Sequence, residues 1–276
     1  MPPFTACIAQ TVPRPYEKGE NLRRALAWMD EAAGHGASLL LLPEMFLTGY
    51  LVRDRLAELT EALPDGPAVT ALRNRAQARS LALIVGMPVE NPDGGRPYNA
   101  MVMIDRDGSI PAVACKTHMF GGEEKMFTPG DSLKAFDTTL GRMGILVCYD
   151  GEFPETARTL ALDGAKLICH CAANMTPYED YHPVYMRARA MENCVYTLYC
   201  NYVGAEKRFR YCGQSGAWHP TGRVLAQGGT EEETLFYVPV DLSEASTSHG
   251  FLRELDYLNR RRPELYHPDL TAMRRK

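Results

Sequence analysis

No apolar run in this 276-residue chain approaches the length of a membrane span. Positive charge is not in excess either. Thirty Lys and Arg face 34 Asp and Glu, for a net charge of −4 and a pI near 6.0. That balance argues against nucleic acid or an anionic membrane as the main partner. The first residues, MPPFTACIAQ, have no basic stretch ahead of their apolar part and do not read as a signal peptide. No glycine-rich phosphate loop follows a strand: Gly121–Gly122 and Gly228–Gly229 lack the Lys and Ser/Thr of a phosphate cradle. Cys169–His170–Cys171 has no second pair at zinc spacing, and neighbouring residues on a strand face opposite ways. No metal and no cofactor is therefore expected. Nor does any tract rich in Pro, Gly or Ser divide the chain.

What is present is the composition of an ordinary soluble enzyme, 45% hydrophobic and 23% charged. Most of the eight cysteines sit in apolar, strand-like runs. They read as small core residues of a reduced, cytoplasmic protein rather than as a disulfide framework.

Pattern and punctuation predict alternating strands and helices. Strands are expected near 4–9, 38–42, 81–89, 99–105 and 111–115, with helices over 21–34 and 67–79. A similar order recurs: strands near 133–138 and 143–148, helix 154–163, strand 166–172, helix 182–194, and strands 195–203 and 234–240. Asp107–Gly108 and Pro220–Gly222 signal hairpins. Hairpins among crossovers imply mixed sheets with helices on their outer faces. One α/β domain built on two sheets, residues 1–245, fits this order. Residues 246–276 form an Arg- and Tyr-rich C-terminal extension.

Three buried strands are expected to end on reactive side chains. LLLLPEMFLTGY (39–50) runs into Glu44, AVACKTHMF (112–120) into Lys116, and GILVCYDGEFPE (144–155) into Cys148. Strand carboxyl ends are where open α/β sheets handle ligands. Each residue alone has an ordinary reading: a loop cap, a snorkelling lysine, a packed thiol. Together they suffice for acyl transfer. A carboxylate takes the thiol proton as sulfur attacks carbon, and an ammonium with a backbone N–H holds the oxyanion. A helix beginning near Pro154 adds a positive dipole end.

LLPEMFLTGY, CKTHMFGGEEKMFTPGD and ILVCYDGEFPETARTLALDGA resemble, in order and in separation, the three catalytic motifs of the nitrilase superfamily, the carbon–nitrogen hydrolases. The resemblance runs from the first strand to about residue 240. It implies a four-layer αββα sandwich with two mixed sheets. It also implies Glu44 as general base, Lys116 as oxyanion stabiliser, Cys148 as nucleophile and Tyr149 as the backbone N–H donor. ANMTPYED, RARAMENCVY, NYVGAE and YCGQS look most like amidases of the 5-aminopentanamidase and (R)-stereoselective amidase group. Family members often carry a further carboxylate soon after the lysine. Glu123 and Glu124 are the candidates, Glu124 slightly preferred. Asn174 and Met175, with Tyr178, are expected to line the pocket. The family often has a larger residue where this chain has Gly151, which implies more room or mobility there.

The expected activity is hydrolysis of a small aliphatic amide, one carrying an ω-amine, to the acid and ammonia. The alternative is an N-carbamoyl amine or amino acid. A nitrile fits less well, and an idle interaction scaffold is the reading from another class. The resemblance implies a homodimer or larger homo-oligomer, with the C-terminal extension at a subunit boundary. Asp150, Glu152 and Glu155 are expected to pair with Arg158, Arg187 or Arg189 and lock the turn after the nucleophile. His118 is expected to make a structural hydrogen bond rather than to serve Cys148. His182, beside Pro183 at a helix start, is the other histidine considered as a base.

Overall fold

The computed structural model describes residues 2–245 and 255–267. The first half builds β1 (Phe4–Gln10), α1 (Lys18–Gly34), β2 (Ala37–Leu41), a short α2 (Leu56–Leu59), α3 (Pro67–Arg79), β3 (Ala82–Val89), β4 (Tyr98–Ile104) and β5 (Ala112–Cys115). The second builds β6 (Phe136–Thr138), β7 (Gly141–Val147), α4 (Pro154–Leu162), β8 (Leu167–Cys171), α5 (Tyr181–Asn193) and β9 (Tyr196–Cys200). The hairpin β10 (Val203–Glu206) and β11 (Phe209–Cys212) follows, then β12 (Gly216–Trp218), β13 (Val224–Gln227) and β14 (Thr234–Val240).

Two six-stranded sheets result, in the orders β14-β1-β2-β3-β4-β5 and β13-β12-β9-β8-β7-β6. In each, the three central strands run parallel and antiparallel strands flank them. Side-chain alternation gives each central strand two apolar faces. In β2, Leu39 and Leu41 join Ile145, Cys169 and Cys171 between the sheets, while Leu40 packs with Met29, Leu72 and Leu83 under α1 and α3. In the second sheet, Leu146 and Ile168 turn outward to Ala157, Leu160 and Ala161 of α4. Each such fully buried leucine is worth about 1.5–3 kcal/mol relative to exposure. The layers are therefore helices, sheet, sheet, helices, the expected αββα sandwich.

The differences from expectation are local. The single strand read over 195–203 is split between β9 and β10, and β10–β11 turns on Lys207 at φ +51° without a Gly or Asn to signal it. Helix α1 begins at Lys18 and buries Asn21, Arg24, Ala25, Met29 and Ala32. Leu22 and Leu26 are only half-buried. Residues 246–254 and 268–276 of the expected extension lie outside the described residues. In the described part, Leu258 packs against the α4 cluster. All eight cysteines are free. Among the described residues, no helix is long and apolar enough to cross a membrane.

Candidate active site

The three strand ends meet. Glu44 follows β2 in a turn that packs tightly on β3: a Cβ on Gly86 would lie 2.3 Å from the Met45 nitrogen and 2.4 Å from the Pro43 oxygen. Only glycine lets β3 and this turn approach so closely. Lys116 follows β5, and its backbone N–H donates to the Asn99 carbonyl at 2.8 Å. Cys148 follows β7 and opens a short 3-10 turn, Cys148–Glu152, ahead of α4. Its φ is +48°, a conformation costing a non-glycine residue about 1–2 kcal/mol.

Lys116 is fully buried, and its Nζ donates to Glu44 Oε1 at 2.9 Å and to Glu123 Oε1 at 2.8 Å. Asn99 Nδ2 donates to the same Glu44 oxygen at 2.7 Å. The Ala173 N–H donates to Glu44 Oε2 at 3.0 Å. Tyr50 OH donates to Glu123 Oε1 at 2.6 Å, and the Phe120 N–H to Glu123 Oε2 at 2.8 Å.

The electrostatics follow from burial and pairing. Burial raises the Glu44 pKa above its ordinary 4.5; the Lys116 charge opposes this. Burial works against the Lys116 ammonium, but the charges of Glu44 and Glu123 outweigh it and hold its pKa well above 10.5. Burial first, then the Glu44 charge, raises the Cys148 pKa well above 9.0. Sulfur therefore rests as the thiol, beside a carboxylate able to take its proton.

Of the two acids after the lysine, Glu123 is the one in the site. Glu124, the slightly preferred candidate, is exposed. The 3-10 turn Glu123–Lys125 directs consecutive side chains to different sides. Tyr149 is half-buried, its ring 5.5 Å from Phe120 and 5.0 Å from Phe153. Asn174 is buried beside Ala173, but its side chain serves its own loop: Nδ2 donates to the Tyr178 carbonyl at 2.9 Å, and Oδ1 accepts from the Met175 N–H at 3.0 Å. Met175 is buried in the core cluster of the first sheet and bridges to Tyr211 of β11.

Two further readings are corrected. The expected arginine partners of Asp150, Glu152 and Glu155 are not side-chain ion pairs among the described residues. Asp150 Oδ1 instead accepts from Thr117 Oγ1 at 2.7 Å, the His118 N–H at 2.8 Å and His118 Nδ1 at 2.9 Å, tying the nucleophile turn to the lysine loop. Arg189 donates to the Glu152 backbone carbonyl at 2.9 Å, and Glu155 is exposed. Gly151 leaves no spare room either. A Cβ there would lie 2.7 Å from His170 Nε2 and 2.9 Å from Met186 Cε. His118 stacks on Phe153 at 4.0 Å, consistent with a structural role. His182 is buried beside Glu152, with its pKa pushed down to about 3 by burial.

Asn99, Tyr50 and the Ala173 N–H are the contributors that sequence reasoning missed. A buried asparagine at the head of the apolar run YNAMVMI was the available signal for Asn99.

A cleft of about 540 Å³ backs onto this cluster. Tyr50, Phe120, Glu123, Met126 and Phe209 line it, and Arg53, Lys207 and Arg208 contribute three cations.

The chain matches the carbon–nitrogen hydrolase family over residues 5–249. It is 42% identical to the "Hydrolase in pqqF 5'region" of Pseudomonas protegens, over 94% of this chain and 89% of that protein. It is 34% identical to the (R)-stereoselective amidase of a Pseudomonas species, over 95% and 94%. The amidase of Nesterenkonia sp. AN1 is 29% identical and superposes with a TM-score of 0.81, covering 95% of each chain. That structure, of a glutamate variant, carries the acetamide moiety of fluoroacetamide added covalently at the active site cysteine. With its two-sheet sandwich and these amidase relatives, the chain belongs to the carbon–nitrogen hydrolase family, in the amidase branch of the nitrilase superfamily.

Proposed function

We propose that the protein is an amidase hydrolysing a small aliphatic carboxamide to carboxylate and ammonia through a cysteine thioester. The single observation that carries the reading is the buried Lys116 ammonium held between Glu44 and Glu123, with the Glu44 charge acting on the buried Cys148 thiol. Cys148 Sγ attacks the amide carbon while Glu44 takes the thiol proton. Lys116 and the Tyr149 N–H hold the tetrahedral oxyanion. The C–N bond then breaks, and ammonia leaves with the proton from Glu44. Water attacks the thioester, Glu44 takes the water proton, the C–S bond breaks, and the proton returns to sulfur.

The proposed substrate carries an ω-amine. Phe120, Tyr149, Tyr178 and Phe153 form a chain of ring contacts beside the nucleophile turn, spaced at 5.0–6.0 Å. Aromatic faces of this kind attract an ammonium. A second reading rests on the cleft with Arg53, Lys207 and Arg208, whose charges favour an amide with an acidic far end. Ammonia release from 5-aminopentanamide, set against the monoamide of a five-carbon dicarboxylic acid, decides between them. Carbon dioxide released with the ammonia from an N-carbamoyl amine would support the carbamoyl alternative. Turnover surviving Cys148→Ala overturns the mechanism.

The proposed partners are the small-molecule amide and further copies of the chain, without nucleic acid or membrane. Leu162 of α4 with Val184 and Met191 of α5 are exposed apolar side chains suited to pairing two copies. Light scattering that returns a monomer mass would remove this reading.

A further inference from the structure

Cys148 is held at φ +48° by more than its own strand. Behind it lies a buried aromatic group that the reaction does not use: His170 of β8, His182 of α5 and Tyr199 of β9. The His170 ring stacks on Tyr199 at 5.2 Å and meets His182 at 4.7 Å. His170 is fully buried, and its Nε2 lies 2.8 Å from the Cys148 carbonyl oxygen. A carbonyl only accepts, so Nε2 carries the proton and donates. Burial, with the neighbouring His182, lowers the His170 pKa well below 6.5, which keeps the ring neutral.

Space for this contact comes from Gly151. Its φ lies outside the left-handed region, so no backbone strain calls for glycine there. What calls for it is the ring: a Cβ would sit 2.7 Å from His170 Nε2 and 2.8 Å from Cε1. A side chain at 151 and the imidazole at 170 compete for one volume. The cavity expected at Gly151 is filled by a hydrogen-bond donor supplied from another strand.

The peptide it grips is Cys148–Tyr149. A trans peptide is planar, and its C=O and N–H point in opposite directions. A donor fixing the Cys148 carbonyl toward β8 therefore fixes the Tyr149 N–H in the opposite direction within the plane. Hydrogen bonding to the carbonyl also polarises the unit and strengthens its N–H as a donor. We propose that His170 is a positioning residue that clamps the Cys148–Tyr149 peptide and aims the Tyr149 N–H at the oxyanion, with Gly151 providing the room. This rests on the amidase reading above, in which that N–H holds the oxyanion. His170 touches neither substrate nor sulfur in this role; it acts through the peptide.

The test compares two reactions of one sulfur. Amide hydrolysis needs the oxyanion donor, whereas alkylation of Cys148 by iodoacetamide displaces iodide at a saturated carbon and forms no oxyanion. In the full-length protein, His170→Ala is expected to lower kcat by about 10- to 100-fold, with KM and the alkylation rate each staying within about twofold. His170→Gln, which retains an N–H donor, recovers part of the loss. Gly151→Ala, which pushes the ring off the carbonyl, reproduces it and serves if His170→Ala does not fold. Equal losses in turnover and alkylation, or an unchanged kcat in both His170→Ala and Gly151→Ala, overturn the clamp. An inactive wild type overturns the amidase reading and the clamp with it. An active wild type with indifferent variants overturns the clamp alone.

Discussion

Asn99 Nδ2 donates to Glu44 Oε1 at 2.7 Å, on the same oxygen that the Lys116 ammonium holds at 2.9 Å. The amide stabilises the ionised carboxylate inside a fully buried site. Removing it acts in the same direction as burial and moves the Glu44 pKa further up. The proposed base works ionised, so activity falls as pH drops through that pKa. The acid limb of kcat/KM in the wild type is expected above the ordinary 4.5 of a glutamate. Asn99→Ala should shift the limb upward and lower the plateau about tenfold. Superimposable pH profiles would show that Asn99 leaves the base untouched.

Glu123 and Glu124 are neighbours in sequence with opposite surroundings. Glu123 Oε1 contacts Lys116 Nζ at 2.8 Å, while Glu124 is exposed. Glu123→Gln should lower kcat/KM about 100-fold, roughly 2.7 kcal/mol of transition-state stabilisation. Glu124→Gln should stay within about twofold of wild type. Steady-state kinetics on the two variants checks this, and the reverse ranking would be decisive against it.

Asp150 gathers donors from the lysine loop, Thr117 Oγ1 at 2.7 Å and the His118 N–H at 2.8 Å among them. Asp150→Ala leaves these partly buried groups without their acceptor. A loss of about 3 kcal/mol in unfolding free energy is expected, measured from the urea midpoint. Lower turnover should accompany it, since Lys116 and Cys148 lose their common tether. A variant as stable as wild type would mean that water replaces the carboxylate at no cost.

Gly86 sits where β3 meets the turn carrying Glu44, with the Met45 nitrogen 2.3 Å from any added Cβ. Backbone cannot give way as a flexible side chain can. Gly86→Ala should cost about 1–3 kcal/mol and displace Glu44 from Lys116. Thermal unfolding and kcat are expected to fall together; a change in neither would show that the turn adapts.

How far the site was readable depends on what holds each residue in place. Glu44, Lys116 and Cys148 each end an apolar run within a motif, so local sequence marked them. Glu123 could not be told from Glu124, because the choice rests on the rotation of a 3-10 turn fixed by Tyr50, far away in sequence. Asn99 reaches Glu44 from β4, two strands along the same sheet, and the Ala173 N–H reaches it from the other sheet, through contacts that no periodicity encodes. The layers were legible from alternating strands and helices. The β10–β11 hairpin was not, since Lys207 occupies the left-handed region without the usual turn residue. Gly151 was noticed, but its meaning lay in His170, on the neighbouring strand β8.

The pairing of one ammonium with two carboxylates has an electrical consequence. At rest, with the thiol neutral, Lys116, Glu44 and Glu123 sum to a single negative charge. In the proposed reaction the thiol proton passes to Glu44 as the tetrahedral adduct forms, and the total is unchanged: the minus sign moves from one oxygen beside Lys116 to another. The ammonium exchanges its counterion instead of acquiring a new one. In that sequence the amide enters uncharged at its reacting end, the carboxylic acid and ammonia form uncharged in the site, and the acid gives up its proton only on release, so turnover leaves the pocket's own charge where it began.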